Sequence, residues 1–207
     1  MRQPDRKIYL ASKSPRRREL LRQIGIDFEL LLLQSQNPEY PDAVNENTLP
    51  GELPQDYVKR ISKEKADFAW YSLEQRHLPP RPVLTADTTV VLNNKILGKP
   101  KNKQEAIAIL RELSGKTHKV LTCVTVKKES TLLQALQESE VTFASLSDEI
   151  INHYCDTLEP YDKAGGYGIQ GMAAKFITNI SGSYSGIVGL PLYETTKLLR
   201  KAGVDIP

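Results

Sequence analysis

Val83-Leu84-Thr85-Ala86-Asp87-Thr88-Thr89-Val90-Val91-Leu92-Asn93-Asn94-Lys95-Ile96-Leu97 reads as two strands around a tight turn. The first run is aliphatic and β-branched, and the Asn-Asn pair tolerates positive φ. A β-hairpin is therefore expected. One carboxylate, Asp87, interrupts the apolar run, and it is the only acidic residue between Glu74 and Glu105. Such a group is either an edge residue facing solvent or one kept for chemistry, as a divalent-metal ligand or a general base for water. Lys99-Pro100 follows Asp87 by twelve residues. If the hairpin returns Lys99 to the same end of the sheet, it supplies a fixed positive charge for phosphate.

Upstream, Lys7 to Ala11 reads as a short strand and Ser14-Pro15 as a helix start, with Ser14 as N-cap and Pro15 in the first helical position. Leu20, Leu21 and Ile24 form that helix's apolar face and Gly25 its stop. A second strand, Phe28 to Leu33, runs into a polar, proline-bearing loop from Gln34 to Pro54, followed by a helix from about Gln55 to Tyr71. Downstream, Asn102 with Glu105 in the capping-box position opens a helix that Gly115 ends, and Val120 to Val126 is the next strand. A pair of strands reaches Phe143, and Ser147, with Asp148 and Glu149 in the first turn, starts a helix ending before Pro160. Phe176 to Ile180 reads as a strand, and Pro191 opens a last helix ending near Gly203. The mixed order points to an α/β fold with one sheet and helices on both sides. At 207 residues the expectation is a single domain over 1–207, with residues 1–6 as a flexible extension.

Composition narrows the function classes. With 40% hydrophobic and 26% charged residues the chain is an ordinary globular one. A net charge of +3, with 7% aromatic residues and no aromatic-basic interleaving, argues against a nucleic-acid binder and fits a small anionic ligand better. Met1 to Arg6 has no apolar signal core, and no run approaches the roughly 18 apolar residues of a membrane span. A cytosolic chain with no membrane partner is expected. Cys123, Cys155, His77, His118 and His153 show neither C-x-x-C nor H-x-x-x-H spacing, which argues against disulfide and zinc frameworks, and Cys155 is read as packing.

Three clusters carry chemistry. In Ser12-Lys13-Ser14-Pro15-Arg16-Arg17-Arg18 a hydroxyl-bearing turn meets a helix N-terminus with three consecutive arginines. Each cation there opposes the helix dipole by about 0.3 to 1 kcal/mol, a conflict that a bound anion removes. Helix N–H groups, the hydroxyls of Ser12 and Ser14 and the forks of Arg16 and Arg17 make a polyphosphate cradle, with Arg18 as the bystander. Lys65, on the helix before the Asp87 strand, is a further cation, set against the ordinary reading of a solvated lysine. Finally, seven of twelve glycines fall between Gly165 and Gly189, implying a backbone that hugs a ligand. Gly166 to Gly171 matches G-x-G-x-x-G but neither follows a strand nor opens a helix, so it is not a dinucleotide fingerprint, and no P-loop motif occurs. These residues support a metal-assisted phosphate enzyme without choosing the base.

Leu10-Ala11-Ser12-Lys13-Ser14-Pro15-Arg16-Arg17, Ala86-Asp87-Thr88, Gly98-Lys99-Pro100, Leu113 to His118 and Asp162 to Gly171 together resemble the Maf family, from Ile8 to the last helix. Gly182-Ser183-Tyr184 and Val188 to Pro191 strengthen the likeness. The resemblance implies an elongated mixed β-sheet flanked by helices, in two lobes with a central cleft (Maf/ITPase-like). It also implies a divalent cation (Mg²⁺ or Mn²⁺), cleavage between the α and β phosphates of a nucleoside triphosphate, and a homodimer. Asp87 matches the family's proton acceptor and is the expected metal ligand, with Lys65 and Lys99 as catalytic cations. Ser12, Arg16, Lys65, Lys99 and Gln170 match positions for substrate or phosphate, and Arg17, Thr88 and Gln170 those for base selectivity, in the pattern of the dTTP and UTP branch. The alternatives are a 7-methyl-GTP pyrophosphatase and a non-catalytic regulator of division or septum formation. One departure concerns the metal: where many members carry an acidic pair after the second strand, this chain has Gln34 to Glu39, leaving Glu39 or Asp42 of a shifted loop as substitutes.

Overall fold

The computed structural model describes residues 7–33 and 44–206. The expected N-terminal extension and the first half of the expected loop, with Glu39 and Asp42, lie outside the described residues. Helices α1 (Pro15–Gln23), α2 (Pro54–Gln75), α3 (Lys103–Leu113), α4 (Asp148–Cys155), α5 (Tyr184–Val188) and α6 (Leu192–Lys201) accompany strands β1 (Ile8–Leu10), β2 (Phe28–Leu30), β3 (Val83–Leu92), β4 (Lys95–Leu97), β5 (Thr117–Lys128), β6 (Thr131–Phe143) and β7 (Ile177–Ser181). The seven strands make one mixed sheet in the order β2-β1-β3-β5-β6-β7, with β4 paired to β3. The α/β reading holds. Among the described residues no helix is long and apolar enough to cross a membrane.

The chain divides into two compact units, Met1–Asp87 with Thr122–Gln137 and Gly189–Pro207, and Thr88–Leu121 with Glu138–Val188. In the first, β1 pairs in parallel with β2 and β3, so Ile8, Tyr9 and Leu10 are wholly buried. Tyr9, Ala11, Leu31, Ala69, Trp70, Leu73 and Val83 form one core cluster. Burying each large aliphatic side chain contributes about 1.5–3 kcal/mol. Helix α2 runs four residues past the expected Tyr71, because Leu73 prolongs its buried face and the Trp70 indole donates to Glu74 at 2.6 Å. Strand β2 stops at Leu30, three residues short of expectation.

In the second unit the hairpin forms as expected, with Val90 opposite Leu97 and Asn93 and Asn94 at φ 50° and 62°. Asn102 caps α3 through the Glu105 N–H at 2.9 Å, and Glu105 reaches back to the N–H of Lys101, one residue before the position a capping box would use. Ser147 caps α4 through the Ile150 N–H. Helix α5 and three short 3-10 turns, Glu159–Asp162, Ala164–Gly166 and Met172–Phe176, were not legible as elements.

His118 is enclosed in this unit's core, edge-on to Phe143 and Tyr167 at 5.1 and 5.4 Å, with Nε2 2.7 Å from the Tyr167 hydroxyl. Burial pushes its pKa down from 6.5 to about 4. The unfolded chain therefore binds the proton more readily, and stability present above pH 6.5 is lost as pH falls toward 4. The full loss is about 3 kcal/mol. Urea unfolding at pH 7.5 and 5 checks this: the wild-type difference should shrink in His118→Gln, and an equal difference in both proteins would remove His118 as its source.

Candidate active site

Polar contacts inside the first unit set the position of α2 on the sheet. The Thr85 hydroxyl on β3 donates to the Ser62 carbonyl at 2.8 Å, and the Ser62 hydroxyl lies 2.7 Å from that of Thr125 on β5. Gln134 on β6 donates to the Thr125 hydroxyl at 2.9 Å and to the Lys59 carbonyl at 3.0 Å. Asp87 stands two residues beyond Thr85, on the same face of β3, and Lys65 stands one helical turn beyond Ser62. Lys65 Nζ accordingly meets Asp87 Oδ1 at 2.7 Å, with both side chains mostly buried.

Glu46 completes this group. Its Oε1 accepts from Lys65 at 2.5 Å, and its backbone carbonyl accepts from the Tyr57 hydroxyl at 3.0 Å. Burial lowers the pKa of Lys65, but Asp87 and Glu46 outweigh it and hold the ammonium above the usual lysine value. Burial, then Asp87 and Glu46, drives the Tyr57 phenol up. Sequence reasoning missed Glu46. The loop that carries it has no periodicity, and an acidic loop residue 19 positions from its lysine partner leaves no local signal.

The turn before α1 is also tied down. Arg17 Nε donates to the Gly189 carbonyl at 2.8 Å, and its NH1 donates to the Ser12 hydroxyl at 3.3 Å. Burial lowers the Arg17 pKa, while Asp87 raises it, Arg16 lowers it and Glu46 raises it, so all three charges act on one guanidinium. Ser14 occupies the N-cap position, yet its side chain makes no capping bond; its own N–H donates to Ser12 Oγ at 3.2 Å. Ser12 thus organises the turn where Ser14 was expected to. Arg18, the expected bystander, is half-buried and donates to the Lys13 carbonyl at 3.0 Å.

Thr88, Lys99 and Gln170 belong to the second unit. Half-buried Thr88 follows Asp87 directly, and exposed Lys99 lies just beyond β4, whose antiparallel course leads the chain back along β3. Gln170 is exposed in a turn closed by the Gly171 N–H to the Gly168 carbonyl at 3.0 Å. Several of the clustered glycines answer to protein rather than to a ligand. A Cβ on Gly165, at φ 70°, would stand 2.8 Å from Val90, and one on Gly182 would stand 2.7 Å from Ser139 Oγ.

Hard divalent ions take carboxylate oxygens, and magnesium commonly uses one or two of them together with substrate phosphates. Asp87 and Glu46, converging on one ammonium, fit that donor set. Among the described residues no group of three or more His, Cys, Asp or Glu could hold a metal by itself.

A buried carboxylate-lysine group beside an arginine-bearing helix start, on an α/β sheet, belongs to the chemistry of polyanion-binding proteins. Residues 7–202 match the family model described as Maf-like protein, and the chain belongs to that family. Its relatives include the dTTP/UTP pyrophosphatase of Dechloromonas aromatica, 48% identical over 95% of this chain and 98% of that protein. The proteins of the same name from Nitrosospira multiformis and Ralstonia nicotianae are 50% and 52% identical, each over 98% of this chain and 97% of its own length.

Because Glu46 helps to raise the Lys65 pKa, Glu46→Gln should lower it and make the amine more nucleophilic at pH 9. Competitive acylation read by mass spectrometry should show Lys65 labelling faster in the variant than in the wild type. Equal labelling would mean that Glu46 does not hold the ammonium in solution.

Proposed function

We propose that this protein hydrolyses dTTP and UTP between the α and β phosphates, releasing the monophosphate and pyrophosphate. The observation that carries the proposal is the buried Asp87–Lys65–Glu46 group, in a chain about half identical to dTTP/UTP pyrophosphatases along nearly its whole length. A water molecule attacks phosphorus and Asp87 accepts its proton. Lys65 keeps Asp87 oriented and limits repulsion between the two carboxylates. Asp87 and Glu46, with phosphate oxygens, would hold Mg²⁺ or Mn²⁺, which when bound polarises the phosphoryl group and lowers the pKa of water.

Arg16, Arg17, the Ser12 and Ser14 hydroxyls and the first N–H groups of α1 receive phosphate oxygens. Lys99 neutralises charge on the departing pyrophosphate. Base choice falls to Arg17, Thr88 and Gln170. The amide of Gln170 donates and accepts, which matches the carbonyl, N–H, carbonyl edge of uracil and thymine. Its exposure leaves that amide accessible to a ligand.

Pyrophosphate release from dTTP, UTP, CTP, ATP, GTP and 7-methyl-GTP with Mg²⁺ or Mn²⁺ tests the reading. dTTP and UTP should be preferred, chelation should abolish turnover, and Asp87→Asn should lower kcat by roughly 10²–10⁴. Preference for 7-methyl-GTP would overturn the base assignment alone. Full activity in Asp87→Asn would remove Asp87 from the chemistry, and no turnover of any nucleotide would end the hydrolase reading.

A further inference from the structure

The second unit holds a carboxylate for which phosphoanhydride hydrolysis has no use. Glu159 is half-buried and its two oxygens are fully engaged. Oε1 accepts from the Tyr154 hydroxyl at 3.0 Å and from the Ala173 N–H at 3.4 Å, and Oε2 accepts from the Met172 N–H at 2.9 Å. The backbone of Gly171 lies directly against this carboxylate: a Cβ there would stand 2.3 Å from Oε1 and 2.4 Å from Cδ. On the other side of the same turn, a Cβ on Gly168 would stand 2.7 Å from Lys163 Cε, and Lys163 Nζ donates to the Glu159 carbonyl at 2.7 Å.

Both ends of the Gly168–Gly171 turn therefore rest on the segment from Glu159 to Lys163, and Gln170 is its third residue. At each glycine the supporting side chain occupies the volume a Cβ would fill, so a larger residue would push that side chain out of its place. The Glu159 carboxylate thus holds the N–H groups of Met172 and Ala173, immediately after the turn that carries Gln170.

We propose that Glu159 is a positioning residue for base selection: its carboxylate, seated on Tyr154, Gly171, Met172 and Ala173, holds the turn that aims the Gln170 amide at the nucleobase. This rests on the reading of Gln170 as a base contact. An amide at position 159 has one acceptor oxygen, so Glu159→Gln turns an NH₂ toward a donor and loosens the turn. The reacting phosphates are served by other residues, so the effect should fall on base discrimination rather than on the chemical step.

The test is steady-state kinetics on UTP and CTP for wild type, Glu159→Gln, Tyr154→Phe and Gln170→Ala, with thermal unfolding of each. In Glu159→Gln the KM for UTP should rise about tenfold with kcat within about threefold, and the UTP-to-CTP ratio of kcat/KM should fall about tenfold. Tyr154→Phe should move the ratio the same way by less. A uniform loss on both nucleotides, or no change, in Glu159→Gln while Gln170→Ala abolishes the preference would overturn the positioning role and leave the Gln170 reading intact. Wild-type preference in Gln170→Ala would sink that reading and the proposal with it. Should Glu159→Gln fail to fold, Tyr154→Phe decides: a reduced ratio supports the role, and an unchanged one rejects it.

Discussion

The ammonium of Lys65, shared by Asp87 and Glu46, is the contact around which the first unit's charged groups are arranged. Asp87 is buried, and a carboxylate taken out of water without a partner is strongly disfavoured. The arrangement holds only if helix and strand stay in register to within a fraction of an ångström. Thr85, Ser62, Thr125 and Gln134 supply that register through side chain to backbone and hydroxyl to hydroxyl bonds. Their small polar groups lie in an otherwise apolar layer, where an unpaired group is costly and a paired one specifies a unique geometry.

The charges around this group explain why a metal fits the reading. Arg17 and Lys65 offset Asp87 and Glu46, and Arg16, acting on the same guanidinium, leaves these five groups with an excess of one positive charge. A single excess positive charge balances little of the charge of a triphosphate. A divalent cation held by the two carboxylates would add to that excess, and the dipole at the start of α1 favours anions as well.

Much of this was legible in sequence because it is local. The Asn93-Asn94 hairpin, the Asn102 and Ser147 caps and the lone carboxylate at Asp87 each announce themselves within a few residues. Glu46 was not legible, since it meets Lys65 through a loop whose path no periodicity records. Ser14 was credited with a capping bond that it does not make, whereas Ser12 accepts the Ser14 N–H, because two hydroxyls two residues apart have the same local chemistry and only the backbone decides between them. Strand β2 ended early, and Leu32 beyond it is half exposed, so aliphatic composition there overstated pairing.

The glycines teach the sharper distinction. Their density was visible and was assigned to a ligand, but density does not say what occupies the space a Cβ would take. At Gly165 it is Val90 of the hairpin, and the Gly165 N–H also donates to the Gly98 carbonyl, one residue before Lys99. At Gly168 and Gly171 it is Lys163 and Glu159. At these positions the close approach is of protein to protein. A methyl group at Gly171 would displace Glu159 before it touched any ligand, so substitutions in this segment report on the support of Gln170 as much as on contact with a nucleotide.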